Sequence, residues 1–384
     1  MPSDLRKYQK HNSFVEIRHR NRQSDVSARV RSVSETLEQS GLSEYCKSVV
    51  RQACTDLLEN EESSRLKPRF KLHSNVIEEI NRISDSHLPR YLFYRYRYEI
   101  YPQLKLIDDF PPCLQIEPTS ICNYRCVFCY QIDESFNKKS DGFMGVMSLD
   151  LFKSIIDQAV GRCEAITLST RGEPLICPAI KEMLAYAGGK FLALKMNTNA
   201  SLLDEEKCHA ILQADLNTLV FSADAASEPA YSRLRVGGKL DKVLRNIEQF
   251  HNIREKYYPH SRTITRVSGV KVDGTPDLDE MESFWGNLVD QVAFVNYNPW
   301  ENTYEQSLNG IEQPCPEPFM RMFVWWDGTV NPCESDYKST LTVGRATETD
   351  LSDLWRSPKY TELRDHHLNA RRSHCSPCNR CAVV

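Results

Sequence analysis

The sequence predicts an α/β protein: a partial (βα)6 TIM-type barrel with a helical N-terminal extension and a small cysteine-rich C-terminal domain. Three observations carry this expectation. Between residues 111 and 300, six short β-rich runs alternate with helical patterns, which is the signature of βα units around a parallel sheet. Residues 1–110 are rich in charge and poor in glycine, with apolar positions at helical spacing. Past Trp300 the alternation stops, and five of the 14 cysteines lie beyond it.

Length and composition bound the answer. A chain of 384 residues can bury a sizeable core. With 26% charged and 41% hydrophobic residues it has the composition of an ordinary globular protein rather than a disordered one. The formal net charge of −4 lacks the basic balance of a nucleic-acid binder. No apolar run of about 18 residues is present for a membrane span, and the N-terminus lacks the apolar core of a secretory signal. The expected location is therefore a reducing cytoplasm, where so many cysteines are better explained by metal or cluster ligation than by disulfides.

In the extension, the first 32 residues carry eight Lys or Arg against three Asp or Glu and read as a solvated arm. Helical spacing runs from Val26 to Leu58 and from Asn75 to Ile83. The Tyr/Arg alternation from Tyr91 to Tyr98 is read as packing surface rather than a base-stacking platform. The core strands are expected at Leu114–Glu117, Ala165–Ser169, Phe191–Asn197, Thr218–Ser222, Thr263–Val272 and Gln291–Tyr297. Ser148 is the expected cap of a helix over Leu149–Val160 and Asp204 of one over Glu205–Leu212, while Asp277 precedes one over Leu278–Leu288. Six units are too few for a closed eight-stranded barrel and fit an open one, with chemistry at the strand C-termini.

Directly after the first strand stands Cys122-Asn-Tyr-Arg-Cys126-Val-Phe-Cys129. A random C-x3-C-x2-C triplet is expected only about 0.02 times in such a chain, given 14 cysteines in 384 positions. Three thiolates on one tight loop can hold three corners of an iron–sulfur cube and leave the fourth iron open to a ligand. A structural zinc site requires a fourth ligand, which this loop does not supply.

The motif resembles that of the radical S-adenosylmethionine (SAM) superfamily, with Phe128 as the aromatic residue before the last cysteine. Arg171-Gly172-Glu173-Pro174 is similar to the family's Gly-Gly-Glu-Pro turn, with Arg171 in place of the first glycine. Asn197-Thr198-Asn199-Ala200 and Phe221-Ser222-Ala223-Asp224 are similar to its later strand-exit motifs. The resemblance covers roughly Pro111 to Tyr297. It implies a 4Fe–4S cluster on Cys122, Cys126 and Cys129, and SAM held by Phe128, Arg171, Gly172, Glu173, Pro174, Asn199, Ser222, Asp224 and Arg266. It further implies reductive cleavage of SAM to a 5'-deoxyadenosyl radical that abstracts hydrogen from a substrate.

The C-terminal part, residues 301–384, resembles a SPASM/Twitch auxiliary-cluster domain. Cys315 and Cys333 flank an expected hairpin at Asp327-Gly328, and the resemblance maps one auxiliary iron–sulfur cluster onto Cys315, Cys333, Cys375 and Cys378, with Cys381 as a spare ligand. The expected substrate is a carbohydrate-like or nucleotide-linked small molecule, oxidised, epimerised or dehydrated; a ribosomal-peptide maturase and a zinc-stabilised interaction protein are the alternatives. An electron donor such as flavodoxin or ferredoxin is the expected partner. Arg266, Lys271, Tyr297, Glu301, Glu334 and Asp336 are candidates for handling the substrate, with Tyr297, Glu334 and Asp336 as candidate catalytic groups. Arg171, Arg235 and Arg266 together would suit an anionic substrate. The remaining cysteines, Cys46, Cys54, Cys113, Cys163, Cys177 and Cys208, read as small core residues.

Overall fold

A computed structural model of the protein describes residues 14–19, 26–58, 68–272 and 278–384. The strands are β1 Phe14–His19, β2 Cys113–Ile116, β3 Arg125–Cys126, β4 Ala165–Leu168, β5 Ala193–Thr198, β6 Thr218–Ser222, β7 Arg235–Val236, β8 Ile264–Lys271, β9 Gln291–Asn296, β10 Arg321–Val324, β11 Thr329–Asn331 and β12 Gly344–Arg345. The six expected core strands form the parallel series β9-β8-β6-β5-β4-β2 within one ten-stranded sheet. Two-residue periodicity sorts their side chains into layers. Leu114, Ile116, Leu194 and Met196 enter the apolar core under the helices, which leaves Gln115 and Lys195 on the opposite, inner face. The sheet curls about that face: Lys195 on β5 senses the charges of Arg266 on β8 and Arg321 on β10, strands that are not its neighbours.

The covering helices start where the sequence places them. Ser148 accepts the Leu151 N–H at 3.2 Å and Asp204 accepts the Lys207 N–H at 2.9 Å, each satisfying a donor that the first turn leaves unpaired. The helix Leu149–Ala159 then buries Phe152, Ile155, Ile156 and Ala159, and each large apolar side chain contributes about 1.5–3 kcal/mol. The helix Leu278–Trp285 is present, but the Asp277 cap lies outside the described residues.

One expectation is corrected. The sheet gains β1 from the extension, placed beside β9; six isolated residues in a basic stretch gave too short a pattern to read. The C-terminal part joins the barrel sheet. β10 pairs in parallel with β2, Arg321 opposite Cys113 and Val324 opposite Ile116, and turns at Gly328 (φ +85°) into antiparallel β11. The sheet edge left by an open barrel has unpaired backbone groups, and the hairpin covers them. Residues 109–384 accordingly fall in one compact unit.

Residues 19–108 form the other unit, with helices Val26–Thr36, Glu44–Leu58, Ser74–Arg82 and Leu88–Leu104. The Tyr/Arg stretch lies in the last of these and is largely buried. Its polar ends are satisfied within the unit: the Tyr91 hydroxyl donates to Glu79 at 2.6 Å and Arg97 pairs with Asp108 at 2.7 Å. Apart from Arg29 and Arg31, the basic residues of the first 32 lie outside the residues whose side chains are described.

Candidate active site

The Cys122–Cys129 loop leaves the C-terminal end of β2 and is held on three sides. Its middle, β3, pairs with β7, placing Cys126 opposite Arg235. Arg235 donates to Cys126 Sγ at 3.7 Å, pairs with Asp224 at 2.6 Å and stands 5.5 Å from the centre of the Phe128 ring. The Tyr124 N–H donates to Cys122 Sγ at 3.4 Å. Burial pushes the Cys122 thiol up to about 12 and raises Cys126, against which the Arg235 charge works. Cys122, Cys126 and Cys129 all lie within electrostatic reach of one another.

The second side is the Arg171–Pro174 turn. A Cβ on Gly172 would lie 2.2 Å from the Thr119 carbonyl oxygen and 2.6 Å from that of Ile121, so only glycine lets the turn lie flush against the start of the cysteine loop. The Glu173 N–H donates to the Ile121 carbonyl at 2.9 Å. The Glu173 carboxylate, fully enclosed, accepts from Thr198 Oγ1 at 2.6 Å and the Asn199 N–H at 2.7 Å. The third side closes the ring: Asn199 donates to Asn123 at 3.0 Å, and Asn123 donates to Ser201 at 2.9 Å. Glu173 is thus the hub joining two strand exits. Asn123 and Ser201 went unread, because a polar residue between two cysteines gives no pattern of its own.

Several side chains are engaged elsewhere. The Arg171 guanidinium points to Glu117 and the Tyr337 carbonyl, and its backbone N–H also donates to Glu117, at 3.3 Å. Arg266 donates to Gln291 at 2.7 Å inside the barrel, and Asp224 accepts the Val270 N–H at 2.7 Å. Of the three arginines that the sequence groups for an anion, Arg171 is therefore held by Glu117, Arg235 by Asp224 and Arg266 by Gln291. Ser222 ends β6, half-buried. Tyr297 donates to Glu301. Asp336 is fully buried and accepts from Tyr304 at 2.7 Å, from Thr340 Oγ1 at 2.7 Å and from the Leu341 N–H at 2.8 Å; it organises a turn beside the cavity lined by Cys315 and Cys333.

A second cysteine site lies where β11 ends. One cavity is lined by Cys315, Cys333, Cys378 and Cys381, with Glu334 and His367 in its wall. Cys375 is not among its lining residues and has Glu362 and Arg372 as its charged neighbours. The pair that shares this cavity with the hairpin cysteines is therefore Cys378 and Cys381. The physical reason is a turn, in which the Asn379 N–H bonds back to the Cys375 carbonyl at 2.8 Å while Arg372 gathers the carbonyls of Cys378, Cys381 and Val383. Burial pushes the Cys315 thiol up to about 12, and the Ser335 N–H donates to Cys333 Sγ at 3.2 Å.

Both sets fit iron–sulfur ligation by donor chemistry: buried or half-buried sulfurs whose negative form is costly without a cation, some already receiving N–H donors. Two aromatic residues join them. Tyr130, directly after Cys129, stacks on Tyr337, four residues after Cys333, with ring centres 5.0 Å apart. Tyr337 and Lys338 each reach Asp133 at 2.7 Å.

Residues 116–266 match the radical SAM superfamily, and residues 315–382 match an iron–sulfur cluster-binding domain, SPASM. A GTP 3',8-cyclase of Clostridium botulinum is 30% identical over 270 residues, covering 70% of this chain and 76% of that protein. The chain belongs to the radical SAM superfamily. It is a radical SAM enzyme with a SPASM domain, and its cofactors are SAM, a 4Fe–4S cluster and an auxiliary cluster. A tungsten-containing aldehyde ferredoxin oxidoreductase cofactor-modifying protein of Pyrococcus furiosus is 24% identical, over 69% of this chain and 86% of that one. In fold, this radical SAM protein is similar to Streptococcus suis SuiB bound to precursor peptide SuiA, with a TM-score of 0.53 at 15% identity, over 98% of this chain and 93% of that one. Among the described residues no helix is long and apolar enough to cross a membrane.

Proposed function

We propose that this enzyme abstracts hydrogen from a small molecule, carbohydrate-like or nucleotide-linked, and completes an oxidation, epimerisation or dehydration with the help of its auxiliary cluster. Cys122, Cys126 and Cys129 would hold the SAM-binding cluster, and Cys315, Cys333, Cys378 and Cys381 the auxiliary one. When bound, the first cluster supplies the electron that cleaves SAM to methionine and a 5'-deoxyadenosyl radical. The observation that carries the reading is the Glu173 hub, which fixes the cysteine loop, the Gly172 turn and Asn199 at the strand exits, where a bound cofactor would meet them.

The chain's own residues do the rest. Gly172, Glu173 and Pro174 offer backbone to the SAM amino group, and Asn199, Ser222 and Asp224 line the strand exits beside it. Phe128 and Arg235 shield the loop, and the hairpin closes the barrel edge against water. Supporting a small-molecule substrate, the sequence relatives include one protein that acts on GTP and one that modifies a cofactor. The electron would come from a donor such as flavodoxin or ferredoxin.

The test is direct. Anaerobically reconstituted protein is incubated with SAM, dithionite and deuterated candidate sugars or nucleotides. Deuterium in 5'-deoxyadenosine identifies the substrate; deuterium only from a peptide would replace this reading with peptide maturation.

A further inference from the structure

Lys195 is the third residue of β5. Its neighbours Leu194 and Met196 enter the core under the helices, so Lys195 faces the inside of the barrel. The charged and titratable groups about it come from four other elements: Arg321 on β10, Arg266 on β8, Cys113 on β2, and Glu334 directly after Cys333. Each cation except Lys195 is already engaged. Arg266 holds Gln291, and Arg321 lies 3.4 Å from Glu317. The Lys195 ammonium has neither a hydrogen bond nor an ion pair to a described residue.

Its place along the strand is informative. Four residues further on is Asn199, tied to the cysteine loop through Asn123. In the other direction, Ala193 shares a rung with Ala165, Cys113 and Arg321, and beside that end lies Glu334 in the wall of the auxiliary cavity. Lys195 therefore stands between the two cysteine sites, inside the barrel. Lys195 is half-buried, so an ammonium held there without a partner still carries a desolvation cost, and no pairing with Glu334 relieves it.

We infer that Lys195 anchors an oxyanion of the substrate, a phosphate or a carboxylate, inside the barrel between the two cluster sites. This rests on the reading of the chain as acting on a small molecule, and it narrows that molecule to an anionic one. The oxyanion completes the hydrogen bonding of the ammonium with charge-assisted bonds, in a field already made positive by Arg266 and Arg321. Burial, together with those two charges, lowers the Lys195 pKa to about 8, so at neutral pH it remains mainly protonated and a bound anion would raise it.

The probes are inorganic phosphate and acetate, added to the anaerobically reconstituted full-length holoenzyme. Lysine acetylation by acetic anhydride is followed residue by residue by mass spectrometry. Phosphate or acetate should slow modification of Lys195 about tenfold relative to surface lysines, and whichever protects identifies the oxyanion. Calorimetry should show about tenfold weaker binding of that anion to Lys195→Gln and near-normal binding to Lys195→Arg, with near-UV circular dichroism and iron content verifying both variants. Absence of protection by either anion, or equal binding by Lys195→Gln, overturns the inference. A holoenzyme that forms no 5'-deoxyadenosine would instead overturn the functional reading, an outcome separate from anion protection.

Discussion

Arg171 grips Glu117 through two hydrogen bonds, Nη2 to Oε1 at 2.6 Å and Nε to Oε2 at 2.7 Å, with both side chains buried. The pair reaches across to the C-terminal hairpin. Arg171 lies 4.2 Å from the Trp325 ring centre and donates to the Tyr337 carbonyl at 2.8 Å, while Glu117 accepts the Trp326 N–H at 3.2 Å. The residue that replaces the family's first glycine is thus a clamp between the barrel and the auxiliary site. Glu117→Ala leaves a buried guanidinium without its anion and is expected to cost about 3–5 kcal/mol. Urea denaturation should show this loss, and adding Arg171→Met should restore part of it.

Gly172→Ala forces a methyl group against the Thr119 and Ile121 carbonyls. A shift of the turn away from the cysteine loop is expected, with about 1–3 kcal/mol of destabilisation and weaker SAM binding. Thermal melts and equilibrium dialysis with SAM measure the two effects.

The cavity separates the C-terminal cysteines. After anaerobic reconstitution, Cys381→Ala should fall from about eight irons per chain to about four, the content of one 4Fe–4S cluster. Cys375→Ala should retain all of them. Loss of iron in Cys375→Ala with none in Cys381→Ala would return the site to the arrangement that spacing alone suggests.

Asp133 gives the link between the two cysteine loops a pH signature. Burial opposes its charge, but hydrogen bonds from Lys338, Ser135 and Tyr337 outweigh burial and bring its pKa from 3.8 to about 2. The folded state therefore binds fewer protons than the unfolded one in that interval. The stabilisation is complete above about pH 4 and is lost as pH falls towards 2. Asp133→Asn should be less stable at neutral pH, and its stability should decline less steeply between pH 5 and pH 2 in urea titrations.

The cysteine spacing, the strand rhythm and the helix caps were legible because each is local. A C-x3-C-x2-C triplet, a two-residue alternation, or a Ser148 three residues before the Leu151 N–H that it accepts is contained in a few consecutive positions. The destination of Arg171 was not legible. It depends on Glu117, 54 residues earlier, and on Tyr337, 166 residues later. Likewise, Lys195 looks in the sequence like an ordinary strand residue between Leu194 and Met196, and only sheet curvature turns it towards Arg266 and Arg321.

By itself, then, the sequence determined the chemistry available to this radical SAM enzyme: the cysteines, the glycine that permits a close turn, and the βα order that sends both to strand ends. Tertiary structure decided which groups meet. It lined one cavity with Cys378 and Cys381 rather than Cys375, placed Arg171 on Glu117, and joined the hairpin to β2. The reason is physical: ligand sets, ion pairs and sheet edges are satisfied by whichever groups folding brings within hydrogen-bonding distance, and that distance is set by packing rather than by separation along the chain.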